Sequence, residues 1–147
     1  MQVKIKKLDP SAKIPKYAKE GDAGMDITAI AVNYDNDYIS YKTGLAFEIP
    51  DGYVGLLFPR SSNSTKELIL CNSVGVLDSG YRGEVEFRYK LVGNGTLAHG
   101  IHNIYSVGDR VGQIIIIPYS IIEFVESEDL SNSARGDQGF GSTNIKQ

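Results

Sequence analysis

A single cysteine, Cys71, leaves this 147-residue chain without an intrachain disulfide, and a reducing cytosol is the expected setting. No apolar run approaches membrane-spanning length; Ile114 to Ile117 is the purest and is far too short. No signal-peptide core is visible either, since Met1 to Lys7 alternates apolar and basic residues as a strand does. Two histidines, His99 and His102, are too few for a metal site without outside help, and they read as loop residues. Positive charge is also short. The net charge of −3 argues against direct electrostatic binding of nucleic acid. Internal repeats, low-complexity tracts and a second domain are all missing. What remains, with 41% hydrophobic and 22% charged residues, suits one globular domain with a core of ordinary size.

Arginine is scarce and oddly placed. Of Arg60, Arg82, Arg88, Arg110 and Arg135, four sit within two residues of Gly, Pro or Ser in loop-like contexts, while lysine dominates elsewhere. Loop arginines suit bidentate recognition of phosphate or carboxylate; a surface ion pair is the simpler reading of any one of them.

Short strands and frequent turns fill the chain. Val3 and Ile5 mark an amphipathic strand, and Gly21 to Ile27 brings two carboxylates and two glycines up against apolar residues. Leu45, Phe47 and Ile49 alternate, Pro50-Asp51-Gly52 turns, and Tyr53 to Phe58 returns, which reads as a hairpin. Pro59-Arg60-Ser61-Ser62 then leads to Ser64 and Glu67, spaced as a capping box opening a short helix. This hydroxyl-rich, basic entrance reads equally as an anion site or as a well-capped turn. Val85, Phe87, Tyr89 and Leu91 alternate with charged residues as in a half-exposed strand, and Gly93-Asn94-Gly95 is a further turn. The isoleucine run, closed by Pro118, is apolar on both faces, which suggests a core between subunits. Residues 126–147 are polar and cannot form a core: a tail, or an arm that orders over a ligand. The expected fold is all-β, a sandwich or barrel with one short helix.

Gly75-Val76-Leu77-Asp78-Ser79-Gly80-Tyr81-Arg82-Gly83 is the centre of this arrangement. Turn chemistry accounts for Ser79 and Gly80 but not for a carboxylate ending the strand with a tyrosine three residues on. Asp78 is either a cap for its own turn or the wall of a pocket.

Five segments in order resemble the motifs of the trimeric dUTPase family. Asp22 to Ile27 loosely matches the first, A-x-G-aromatic-D-L, with Met25 where an aromatic is usual; Pro59 to Ser62 matches P-R-S-[GS]. Gly75 to Gly83 matches G-x-[IVL]-D-x-x-Y-R-G throughout, and Gly108 to Gln113 matches G-D-R-[IV]-[AG]-Q. Arg135 to Thr143 matches R-G-x-G-G-F-G-S-T, except that Gln138 replaces a glycine. The resemblance implies a distorted jelly-roll sandwich assembled as a homotrimer with shared active sites, residues 1–125 forming the barrel and 126–147 a flexible closing arm. It implies hydrolysis of dUTP to dUMP and pyrophosphate, which limits uracil in DNA and supplies dUMP for dTMP synthesis. Asp78 would be the base for water and Gln113 its helper. Arg60, Ser61, Ser62, Arg135, Ser142 and Thr143 would contact phosphates. Asn72 and neighbouring hairpin backbone would read uracil, Tyr81 would exclude a 2′-hydroxyl and Phe140 would stack on the base, with Gly75 and Gly141 among the substrate-binding residues. Mg²⁺ would ride on the triphosphate, with Asp26 holding it through water. A related dCTP deaminase lacks the D-x-x-Y-R-G arrangement, and Tyr81-Arg82-Gly83 argues against it. A non-hydrolysing trimeric β-module, binding nucleotide to regulate a partner protein, would not need Asp78, Gln113 and the arm.

Overall fold

The computed structural model describes residues 1–92 and 103–137. Among the described residues ten strands carry the fold: β1 Lys4–Lys7, β2 Met25–Thr28, β3 Ala31–Tyr34, β4 Ile39–Lys42, β5 Leu45–Glu48, β6 Tyr53–Phe58, β7 Leu68–Leu70, β8 Gly75–Leu77, β9 Glu86–Leu91 and β10 Arg110–Pro118. They form two four-stranded sheets, ordered β2-β10-β6-β8 and β3-β4-β9-β7, plus a β1-β5 ribbon, and every pairing is antiparallel. Ile27, Leu57, Leu77 and Ile114 from one sheet meet Ile39, Tyr41, Leu68, Phe87 and Tyr89 from the other in a single core, with Leu45 and Phe47 of the ribbon. The expected β-sandwich is what forms.

Alternation explains most of it. Val85, Phe87 and Tyr89 are buried while Arg88 and Lys90 face water, so a period-two pattern fixes which face of β9 packs inward. Inside, Tyr41, Tyr89 and Tyr105 meet at ring-centroid distances of 5.8 Å. The buried hydroxyls need partners: Tyr41 donates to the Tyr105 carbonyl at 3.2 Å and Tyr89 to the Val111 carbonyl at 2.6 Å. Burial pushes both hydroxyls up in pKa, so they remain neutral donors.

Two local expectations change. Strands β5 and β6 are not a hairpin: β5 pairs with β1, while β6 pairs with β10 and β8. The Pro50–Tyr53 turn instead carries the chain from the ribbon into a sheet, and Leu45, Ala46 and Phe47 are all buried, so β5 is covered on both faces while β1 beside it is mostly exposed. Strands β7 and β8 likewise belong to opposite sheets, so the turn between them crosses the sandwich, with Ser73 at φ 58°. The capping box also fails. Ser61–Thr65 is a 3₁₀ turn whose N-cap residue, Arg60, makes no side-chain cap bond; Ser64 lies inside it and donates to the Ser61 carbonyl. Five residues are too few for the α-helical spacing that a capping box serves. The turn at Gly93-Asn94-Gly95 and both histidines lie outside the described residues.

Candidate active site

Two clefts collect the candidate residues. The first, of about 410 Å³, is lined by Asn72, Gly75, Asp78 and Tyr81 together with Leu57, Cys71, Glu84, Glu86 and Arg88. Strand β8 delivers Asp78 to its rim, and the following turn closes through the backbone, Tyr81 N–H donating to the Asp78 carbonyl at 3.1 Å. No described residue donates a hydrogen bond to the exposed Asp78 carboxylate, so capping its own turn is not its work. Tyr81 Oη donates to the Glu84 carbonyl at 3.1 Å, which lays the ring across Gly83; a Cβ there would collide with it. Gly83 is therefore required by the tyrosine. Asn72 Nδ2 stands 3.3 Å from where a Cβ on Gly75 would sit, so glycine keeps this amide close against the backbone.

At the base of this cleft, Glu86 accepts from Lys42 Nζ at 2.9 Å and from Ser40 Oγ at 2.8 Å. Burial raises its pKa, but these bonds outweigh that and hold the carboxyl below its usual range. Arg82 donates to the carbonyls of Ser79 and Tyr81 and so braces the turn.

The second cleft, of about 390 Å³, is lined by Asp22, Gly24, Asp26, Arg60, Ser61 and Gln113 among others. Register assembles it. Gln113 of β10 lies opposite Asp26 of β2 and Phe58 of β6, which sets their side chains on one sheet face. Arg110 lies opposite Thr28, two residues from Asp26 and on that same face. Residues 110 and 113 would face opposite ways in a regular strand; a bulge between Arg110 and Gly112 brings them together. Gly112 is needed there because the Phe87 ring covers it. Asp26 then takes Arg60 Nε on one oxygen at 2.7 Å and Arg110 Nη1 on the other at 2.9 Å. Arg60 Nη1 also donates to Ser62 Oγ at 3.0 Å, and Gln113 Nε2 to the Pro59 carbonyl at 3.0 Å, with its Oε1 packed against Gly24.

Such a cluster of guanidinium, hydroxyl and amide donors suits a phosphate chain. The family is now decided. The chain is a dUTPase: the dUTPase family profile matches residues 10–144. The deoxyuridine 5'-triphosphate nucleotidohydrolase of Thermobifida fusca is 36% identical over 146 residues, 97% of this chain and 79% of that protein. That of a Hydrogenobaculum species is 34% identical and is covered over its full length. Among solved structures, a Staphylococcus bacteriophage 80alpha dUTPase mutant with dUpNHpp superposes at TM-score 0.78 with 29% identity, covering 97% of this chain and 98% of that one. A dUTPase of phage phi11, described with a structural Mg(II) ion, superposes at 0.70 with 26% identity, covering 88% of this chain and 98% of that one.

Within one dUTPase chain, then, Asn72, Gly75, Asp78 and Tyr81 share one cleft, while Asp26, Arg60, Ser61 and Gln113 share another, with Ser62 bonded to Arg60 beside it. Asp78 and Gln113, paired in the expectation, line different clefts. Arg135 lies on the exposed segment beyond β10, whereas Gln138, Phe140, Gly141, Ser142 and Thr143 fall outside the described residues. Arg110 was missed as a site residue. Its Gly-Asp-Arg motif was legible, but the bulge that aims it at Asp26 was not.

Proposed function

We propose that this dUTPase hydrolyses dUTP to dUMP and pyrophosphate at a site built where the two clefts of neighbouring chains meet. The observation that carries the reading is the Asp78 carboxylate, placed beside Tyr81 and Asn72 and bound by no described donor. An exposed carboxylate in that position can accept a proton from water as it attacks the α-phosphorus. Expulsion of pyrophosphate leaves dUMP, and the proton passes to Asp78 and then to solvent. Asn72 reads the uracil edge beside Gly75, and Tyr81 packs under the deoxyribose. Arg60, Ser61 and Ser62 hold the phosphates, and Gln113 orients the water. Their donors face charge that grows during attack, which is where fixed dipoles lower a barrier.

The donor set fits Mg²⁺ carried by the triphosphate rather than caged by protein. Among the described residues no group of three or more His, Cys, Asp or Glu could hold a metal, and both Asp26 oxygens already accept from arginines. A small ion that keeps several waters suits one such carboxylate acting through water. When bound it would neutralise phosphate charge.

A trimer supplies what one chain separates. Ile121, Phe124, Val125 and Leu130 beyond β10 are more than four-fifths exposed, which supports a contact with another copy. In this reading residues 1–125 form the barrel and 126–147 an arm. Arg135, Ser142 and Thr143 grip the terminal phosphates, while Phe140 and Gly141 close over the base. Among the described residues no helix is long and apolar enough to cross a membrane. Incubation with dUTP and with dCTP tests the activity. Pyrophosphate from dUTP supports it; ammonia from dCTP, or no product from either nucleotide, overturns it.

A further inference from the structure

The phosphate-side turn has no apolar anchor. None of the five residues of Ser61–Thr65 is buried, so nothing hydrophobic decides where Arg60, Ser61 and Ser62 sit. A loop held by its own conformational preferences alone would have to be ordered by the ligand, at a cost in affinity. The position must come from polar bonds, and most of those reach one short segment, 103–105.

Asn103 makes four bonds to the end of the turn and the two residues after it. Its backbone N–H donates to Glu67 Oε2 at 2.8 Å, and its carbonyl accepts from Glu67 N–H at 3.0 Å. Its side chain splits between donor and acceptor: Nδ2 donates to the Thr65 carbonyl at 2.7 Å, and Oδ1 accepts from Lys66 Nζ at 2.9 Å. Lys66 is thereby drawn inward; its ammonium also donates to the Ile104 carbonyl at 3.1 Å and lies 5.2 Å from the Tyr105 ring centroid. Tyr105, buried against Tyr41 and Tyr89, sends its hydroxyl to Asn63 Oδ1 at 3.3 Å, and Asn63 Nδ2 donates to the Leu68 carbonyl at 2.8 Å. The turn is thus fixed at its entrance by Arg60 on Asp26, in its middle by Tyr105, and at its exit by Asn103.

We infer that Asn103, seconded by Tyr105, is a positioning residue for triphosphate recognition: it pre-organises the Arg60–Ser62 loop without touching the nucleotide. Lys66, the residue after the turn, serves as a strut in that arrangement. The inference rests on the assignment of phosphates to the Arg60 cleft made above. It separates two parts of one ligand. Affinity that comes from phosphates should depend on Asn103, and affinity that comes from uracil and sugar should not.

The experiment compares wild type, Asn103→Ala and Tyr105→Phe in binding α,β-imido-dUTP, by calorimetry, and deoxyuridine, by inhibition of dUTP hydrolysis. Asn103→Ala should weaken the imido-triphosphate about 10-fold and raise KM for dUTP alike, while deoxyuridine moves less than about 2-fold. Tyr105→Phe keeps the ring and loses only the hydroxyl bond, so a weakening of about 3-fold, again confined to the triphosphate, is expected. General loosening of the fold would affect both ligands together or neither, and either pattern overturns the inference. Should Asn103→Ala not fold, Tyr105→Phe decides by the same split. A wild-type chain that bound neither ligand would remove the functional reading as well; wild-type binding without the split would remove this one alone.

Discussion

Arg60 reaches Asp26 at 2.7 Å across strands that pair only through β10, and each side chain is about three-quarters withdrawn from water. With Arg110 on its other oxygen, Asp26 holds two cations at the cleft that it lines with Arg60, Ser61 and Gln113. Asp26→Ala would leave both guanidiniums without their carboxylate. The pair is partly solvated, so the stability loss should be modest, about 1 kcal/mol. Catalysis should suffer more. A fall in kcat of about 10²-fold is expected, with a higher Mg²⁺ concentration needed for half-maximal rate. Thermal melts and magnesium titrations check the two effects, and an unchanged magnesium requirement would take Asp26 out of the metal's surroundings.

Asp78 presents the opposite case, a carboxylate that no described side chain or backbone group engages. Asp78→Asn should therefore leave Tm almost unmoved and bind the imido-triphosphate much as before. Turnover of dUTP should drop about 10²–10⁴-fold. Near-normal kcat in this variant would return Asp78 to the role of a turn residue.

Sugar choice tests the Tyr81–Gly83 contact. Tyr81→Ala should raise the kcat/KM for UTP relative to dUTP by about 10-fold or more, with some loss in dUTP affinity. Gly83→Ala should do part of the same, because the new methyl group collides with the tyrosine ring and must displace it. If both variants keep the wild-type ratio, the ring does not read the sugar.

How much of this was written in the sequence depends on the kind of feature. Asp78, Tyr81 and Gly83 fall within nine consecutive residues, so local spacing alone brings them to one turn. The alternation of Val85, Phe87 and Tyr89 likewise exposes a strand without help from elsewhere. Strand pairing is different. Pro50-Asp51-Gly52 has the same turn chemistry whether the chain folds back on β5 or crosses to another sheet, and the sequence does not distinguish the two. The bulge at Arg110–Gly112 depends on Phe87 packing over Gly112, a contact between residues far apart in the chain. Asn103 carries no signal at all, since an asparagine beside a turn is ordinary until its four bonds to Thr65, Lys66 and Glu67 are in place.

Glu86 gives a pH prediction. Its bonds to Lys42 and Ser40 hold its folded pKa below the ordinary 4.5 against the upward push of burial. A lowered folded value means the carboxylate's stabilisation is complete above the unfolded value and disappears as pH falls through the folded one. Tm should thus decline as pH falls through and below the ordinary glutamate value, and Glu86→Gln should flatten that decline. An identical acid slope in the variant would assign the effect to other carboxylates.

The separation of Asp78 from Gln113 and Arg60 within one chain allows a direct test of site sharing. Asp78→Asn chains have a sound phosphate cleft, and Arg60→Ala chains have a sound Asp78. Each variant alone should assemble into nearly inactive trimers. Suppose each site takes Asp78 from one chain and Arg60 from the next around a three-fold ring. Going round any mixed trimer, one site alone then joins two sound parts. Random assembly from equal amounts makes about three-quarters of the trimers mixed, each with about one-third of its sites complete, so activity should recover to roughly one-quarter of wild type. Native mass spectrometry reports whether mixing occurred. Mixed trimers that remain at the parental level of activity would mean that Asp78 and Arg60 serve the same site from the same chain.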